Sequence, residues 1–316
     1  MVNINSVTGI LDSTKLGFTL PHEHLVDAGA GISDTYPELV DRDRTQEDAI
    51  GDFTRARSAG IDTVVEVSTL DLGRDVKLME QISNITGMQI VCATGSWLDI
   101  PRSFWGRTPE FIADLWSREI EQGIDGTDIK AGVIKVATED PITEHQELML
   151  RAAARTHHRT GVPITTHTPP LTNIGLEQIR IFEQEGVSIN NVYIGHVNNT
   201  INRDYHVAMM EKGAYLGWDI NNSLGRPQLP SWQDRTDYLK ILLDDGYATK
   251  IMISQDWNVV LSRVSTPGFP TREQNPDGYI WNINNLIPRL IDSGTPKSVI
   301  YTMTNDNPRR YFEGCI

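Results

Sequence analysis

Eight short β-forming runs, separated by helix-forming stretches from one end of the chain to the other, constrain the fold more than any other feature of this sequence. They lie near GFTL (17–20), TVVEV (63–67), IVCATG (90–95), GVIKVA (132–137), PITTH (163–167), VYIGHV (192–197), AYLGWD (214–219) and IMISQD (251–256). Each is rich in β-branched or aromatic residues and bounded by Gly, Pro or Asp. Helix signals fill the gaps. Thr45 with Asp48 three residues on resembles a capping box, ahead of a helix that Gly60 would stop. Thr143 followed by HQELMLRAAARTHHRTG predicts a longer helix closed by Gly161, and 176–185 and 232–245 repeat the pattern. An α/β chain of this order pairs its strands in parallel through right-handed crossovers. Two closures satisfy that rule, an open doubly wound sheet and a (β/α)8 barrel, and periodicity does not separate them. No composition break or Pro/Gly/Ser linker interrupts the 316 residues, which predicts one domain spanning 1–316.

Charge narrows the partners. A formal net charge of −14 argues against nucleic acid or an anionic membrane surface, because phosphate binding needs a positive patch. No stretch approaches the roughly 20 apolar residues of a membrane span. Two cysteines, Cys92 and Cys315, exclude a disulfide framework and a thiolate-rich metal site. The opening MVNINSVTGILDSTKLGFTL has no basic start followed by an apolar run, so a cytoplasmic protein is expected.

The histidines carry the chemistry. Of the eight, His22, His24, His167 and His196 fall at the ends of predicted strands or just after them. His145, His157, His158 and His206 fall on helical stretches and are expected to be solvated. A lone histidine at a strand end is more often structural than ligating. Four at the same end of different strands reverse that weighting. His22 and His24 are two apart, so an extended segment points both to one face. Asp256 ends IMISQD, where alternation puts it on the same side as Ser254. Neutral imidazoles with a carboxylate suit zinc or a neighbouring divalent metal.

Lys135 sits inside GVIKVA, a strand too apolar to solvate an ammonium. Its side chain either snorkels to the rim or pairs with an acid such as Glu139, or burial lowers its pKa and frees the amine. Carbon dioxide can convert that amine into a carbamate able to bridge two cations. Charge favours the carbamate, since two divalent ions bring more positive charge than Asp256 and a shared hydroxide offset.

PHEH, EVSTLDLGRD, CATGSW, AGVIKVATE, GVPITTHT, IGH, the NPDG loop and the closing DNPRRYF together resemble the phosphotriesterase family of the amidohydrolase superfamily, across nearly the whole chain. The resemblance implies a single (β/α)8 barrel with its active site at the C-terminal ends of the strands. It implies a binuclear centre, usually zinc: His22, His24 and Asp256 on the buried metal, His167 and His196 on the exposed one, and carboxylated Lys135 between them. A homodimer is also implied. The expected reaction is attack by a metal-shared hydroxide on a small neutral ester, with Asp256 accepting the proton and Trp97 and Trp257 lining the pocket. Neutral phosphotriesters lead as substrates; lactones or carboxylic esters are the alternative. Three departures bear on that choice. Ile220 follows Asp219 where the efficient organophosphate hydrolases have histidine and the lactonases arginine. Asn198 and Asn199 follow His196 where acidic residues are expected. The loop NNSLGRPQLPSW looks shorter than in the organophosphate hydrolases. Trp97 in GSW, by contrast, resembles the organophosphate enzymes.

Overall fold

The computed structural model describes residues 1–222, 228–261 and 271–314. A two-stranded antiparallel hairpin, β1 (Asn3–Ser6) and β2 (Gly9–Asp12), opens the chain. It was not legible as β in the sequence. The barrel strands follow: β3 (Thr19–Asp27), β4 (Thr63–Glu66), β5 (Gln89–Ser96), β6 (Val133–Ala137), β7 (Ile164–His167), β8 (Val192–Ile194), β9 (Tyr215–Trp218), β10 (Ile251–Ile253) and β11 (Asn258–Leu261). They form one parallel sheet in the order β10-β9-β8-β7-β6-β5-β4-β3-β11. Because β10 and β11 are two pieces of one strand interrupted at 254–257, the list begins and ends on the same strand and the sheet closes into a (β/α)8 barrel.

Alternation decides which side chains enter the barrel. Val64, Ile90, Cys92, Ile134 and Val136 pack outward against the helices in the larger apolar layer. Val65, Val91, Ala93, Val133, Tyr193, Tyr215 and Met252 form the smaller inner cluster with Tyr311 and Phe312. Lys135 shares the inward parity of Val133. Its strand neighbour is Gly95, at φ +120°, where a Cβ would collide with the Lys135 carbonyl. Only glycine lets the two strands approach at this point. On β3 the register shifts between Leu20 and Glu23, which re-aims the strand as it reaches PHEH.

The helices begin and end for local reasons. Thr143 and Gln146 form a reciprocal capping box on Glu144–Thr160, and Gly161 at φ +73° closes it. Arg42–Ser58 starts earlier than the Thr45 signal implied. Asp41 is its cap and accepts from the Arg44 amide, while Thr45 lies buried one turn inside with its hydroxyl on the Asp41 carbonyl. The sequence 232–245 is helical from Trp232 to Asp244. No helix among the described residues is long and apolar enough to cross a membrane.

Of the helical histidines, His158 is exposed as expected, His145 and His157 are half-buried, and His206 is fully buried. Its Nε2 lies 2.9 Å from the Val197 carbonyl and its Nδ1 lies 3.0 Å from the Tyr238 hydroxyl, with Trp218 alongside. His145 stacks on Trp105, and His157 and His158 meet the carbonyls of Val162 and Glu185. An amphipathic helix offers inward positions to polar residues that find partners, and the pattern alone does not show the partner. Burial lowers the His206 pKa from 6.5 to about 4. The unfolded chain therefore takes up this proton first. His206 contributes stability that is complete above pH 6.5 and is lost as pH falls toward 4. We expect His206→Gln to cost stability at neutral pH yet to weaken the acid-induced decline across that window by roughly 2–3 kcal/mol. Urea midpoints at pH 7, 5.5 and 4 check this; an undiminished decline would exclude the assignment.

Candidate metal centre

The C-terminal end of the barrel gathers the four strand-end imidazoles, Lys135 and Asp256. His22 and His24 project from β3, and Lys135 from β6. His167 ends β7, and His196 follows β8. Asp256 stands in the break between β10 and β11. His22, Lys135 and His196 are at most 2% exposed; His24 is nearly as buried, and His167 and Asp256 are the most open of the six. Ligand atoms of His22, His24 and Asp256 all lie within 4.8 Å of one another, so this group can hold a metal ion. His24 Nε2 is 3.4 Å from Asp256 Oδ1 and His22 Nε2 is 3.8 Å from the same oxygen. His196 packs its ring 4.6 Å from His22 and 4.5 Å from His167 between ring centres. Lys135 Nζ lies 2.8 Å from His22 Nε2 and away from the exposed Glu139.

Two of these residues occupy unusual backbone positions. His196 has φ +63° and Asp256 φ +52°, left-handed conformations that cost roughly 1–3 kcal/mol each in a non-glycine residue. Asp256 thus does not continue the strand alternation from Ser254. It sits on a turn that aims its carboxylate at the histidines. Gly195, just before His196, allows His22 its place: a Cβ there would collide with the Thr166 carbonyl and stand 3.1 Å from His22 Cε1.

Electrostatics follow from burial. Desolvation lowers the Lys135 ammonium from 10.5 to about 8, and no carboxylate lies within hydrogen-bond reach of it among the described residues. Desolvation also pulls His22 and His167 well below the ordinary imidazole range. Burial alone would raise Asp256, but His196, His24 and His22 outweigh it and hold the carboxylate well below its usual range. His22 Nδ1 makes no hydrogen bond and stands 3.4 Å from Asp219 Oδ2. Neutral nitrogen donors, a carboxylate and a deprotonatable lysine in a dry pocket fit divalent cations, and they make a poor hydrogen-bonded core.

Behind the six lies a layer of carboxylates that sequence reasoning missed. Glu66 accepts the Ser68 hydroxyl at 2.5 Å, and Ser68 Oγ lies 2.9 Å from His24 Nδ1. This chain makes Nδ1 the protonated nitrogen of His24 and leaves Nε2 with its lone pair facing Asp256. Asp219 accepts from the His196 amide at 2.8 Å and from Tyr193 at 2.7 Å, with His196 Nδ1 at 3.0 Å. Asp71 accepts from the Trp97 amide at 3.0 Å. The available signal was that Glu66 and Asp219 stand inside or at the end of an apolar β-run, where an unpaired carboxylate would not be tolerated; Asp71, in the turn Leu70–Leu72, carried no such signal.

The tryptophans separate. Trp97 sets its ring edge-on to His167, 5.7 Å between centres, and is partly exposed beside the site. Trp257 turns away from it: the indole lies in the apolar layer under Arg42–Ser58 with Nε1 3.3 Å from Asp52. Its expected place in the pocket lining is therefore not where the ring stands, because the turn at Asp256 reverses the side to which the next residue points. Asn198 cross-ties the seventh-strand exit, donating to the Ile220 carbonyl and accepting from the Ile220 amide. Part of NNSLGRPQLPSW, residues 223–227, lies outside the described residues, and so does the length comparison made for that loop.

The profile of the phosphotriesterase family matches residues 2–312. The chain belongs to the phosphotriesterase family. It is 35% identical over 310 residues to an aryldialkylphosphatase of Saccharolobus solfataricus, covering 96% of each protein. It is also 35% identical to a phosphotriesterase homology protein of Mycobacterium tuberculosis, covering 99% of this chain and 98% of the other. A more distant relative is the N-acetyltaurine hydrolase of Danio rerio, 25% identical with 98% of this chain and 97% of the other covered. The chain is a hydrolase of this family.

The His24–Ser68–Glu66 chain gives a direct test. Ser68→Ala frees the imidazole to rotate and to change tautomer, so metal affinity should fall about 10–100-fold while the fold is kept. Competition with a chromophoric chelator measures it; unchanged affinity would show that Ser68 does not orient the ligand.

Proposed function

We propose that this hydrolase acts on small neutral phosphotriesters with good leaving groups, using two divalent cations, zinc first among them. His22, His24 and Asp256 would hold one cation and His167 and His196 the other. A carbamate on Lys135 would join them. The observation that carries the reading is the His22, His24 and Asp256 group with the rings of His196 and His167 beside it and Trp97 against His167. The 35% identity to an aryldialkylphosphatase supports it.

When bound, the cations would lower the pKa of a shared water and polarise the ester oxygen. The rest falls to the chain. The free amine of Lys135 attacks carbon dioxide at carbon, a C–O π bond opens onto oxygen, and the nitrogen loses its proton to solvent. A lysine whose pKa is lowered to about 8 has enough free base for this near neutral pH. Asp256, kept anionic by the surrounding imidazoles, is placed to accept the proton from the attacking water. Trp97 offers apolar surface to an uncharged substituent. Beyond Asp256 the side chain of Ile220 cannot relay a proton, so it leaves with water or product.

Ile220 and the paired Asn198 favour a second reading, a lactonase or carboxylic esterase with phosphotriester turnover as a side activity. Efficiencies on an aryl dialkyl phosphate, a lactone panel, an aryl acetate and N-acetyltaurine, at measured metal content, separate the readings. We expect the phosphotriester to lead; a lactone or amide preference of two orders of magnitude or more would overturn the ranking. A homodimer is proposed on resemblance and is tested by light scattering. Lys135→Ala should lose metal and at least 100-fold in rate, with partial rescue by a small carboxylic acid. Full metal and rate in that variant would remove the carbamate.

A further inference from the structure

Glu23 lies between His22 and His24 on β3 and is completely buried. Its alternation turns it away from the two histidines, toward the seam where the first barrel strand meets the eighth. There Oε1 accepts from Ser254 Oγ and from the Gln255 amide, both at 2.7 Å, and Oε2 accepts from the Trp257 amide at 2.8 Å. The donors flank Asp256 on both sides. Ser254 Oγ also accepts the His22 amide at 3.0 Å, so the same hydroxyl joins the back of the ligand pair to the seam.

Asp256 needs such support. Its φ of +52° is unfavourable for a carboxylate residue, and the regular ladder stops at Ile253 and resumes at Asn258. Among the described residues two backbone bonds cross the seam in the gap, Asp256 N to His22 O at 3.2 Å and His24 N to Trp257 O at 2.9 Å. Glu23 supplies the acceptors that the broken ladder lacks. Glutamine is a poor substitute, because it must turn an NH2 group toward at least one N–H or O–H donor in a buried place.

We infer that Glu23 is a positioning residue: by clamping Ser254, Gln255 and Trp257 it sets the carboxylate of Asp256 against His22 and His24, and thereby fixes cation affinity. This rests on the metal site proposed above and adds a residue that contacts neither cation nor substrate.

A double-mutant cycle on the full chain tests it, reading affinity for Zn2+ alone by chelator competition and the visible spectrum of the Co2+ form. Glu23→Gln should weaken the His22/His24/Asp256 cation about 10–100-fold and alter the Co2+ bands. In an Asp256→Asn background the same change should cost less than about threefold, since the group it positions is gone. Ser254→Ala removes one donor to Glu23 and the acceptor of the His22 amide, and should give a smaller loss, about threefold to tenfold, that Asp256→Asn reduces at least in part. Should Glu23→Gln fail to fold, the Ser254→Ala cycle decides alone. Equal losses in both backgrounds, or wild-type affinity and spectrum in the single variants, would overturn the inference. Wild-type protein that binds the cation but hydrolyses none of the esters removes the substrate reading and leaves Glu23 standing. Wild-type protein that binds no cation overturns both.

Discussion

The meeting of the first and eighth barrel strands is the contact on which the rest of the structure depends. A parallel barrel must close on itself, and here the closure is made by a strand broken at 254–257. That break costs ladder hydrogen bonds, and buried backbone groups without partners are expensive. Glu23 and Ser254 provide replacements. The break also lets Asp256 leave the strand and face His22 and His24, which come from the strand on the other side of the same seam. Closure of the barrel and assembly of the candidate metal site are therefore one event.

Two of the nitrogen donors are oriented from behind by an acid. Glu66 acts on His24 through Ser68, and Asp219 acts on His196 directly and through its amide. Tyr279 adds a bond to the His24 carbonyl, which ties the NPDG turn to the same strand. Burying several carboxylates and a lysine near one another is unfavourable without compensation. Hydrogen bonds satisfy the outer acids, while the inner nitrogens meet chiefly one another, Lys135 Nζ lying 2.8 Å from His22 Nε2. Imidazole nitrogens crowded in this way against the Asp256 carboxylate suit a bound cation.

The exit from the seventh strand shows how one scaffold changes its chemistry. Asn198 holds both backbone groups of Ile220, so the position is fixed even though its side chain cannot carry a proton. Relatives in the family bear names for phosphotriester and for amide hydrolysis. A barrel whose candidate metal ligands sit on strands leaves its loops free to vary, which allows such differences.

The sequence by itself determined the α/β class, the alternation of strands and helices, and the identity of the strand-end donors, because these follow from local periodicity and residue chemistry. It also marked Lys135, since an amine in an apolar strand is conspicuous. Ring closure was not readable from periodicity, which is the same for open and closed parallel sheets; the motif resemblance supplied it. Tertiary structure alone decided the rest. The left-handed turn at Asp256 sent the Trp257 ring into the core, because one reversed φ flips the side of the following residue. His206 became buried because Trp218 and Tyr238, far along the chain, gave it a pocket with two partners. Glu23, Glu66 and Asp219 gained their roles from partners up to 234 residues away, and a hydrogen bond across that separation leaves no local trace in the sequence.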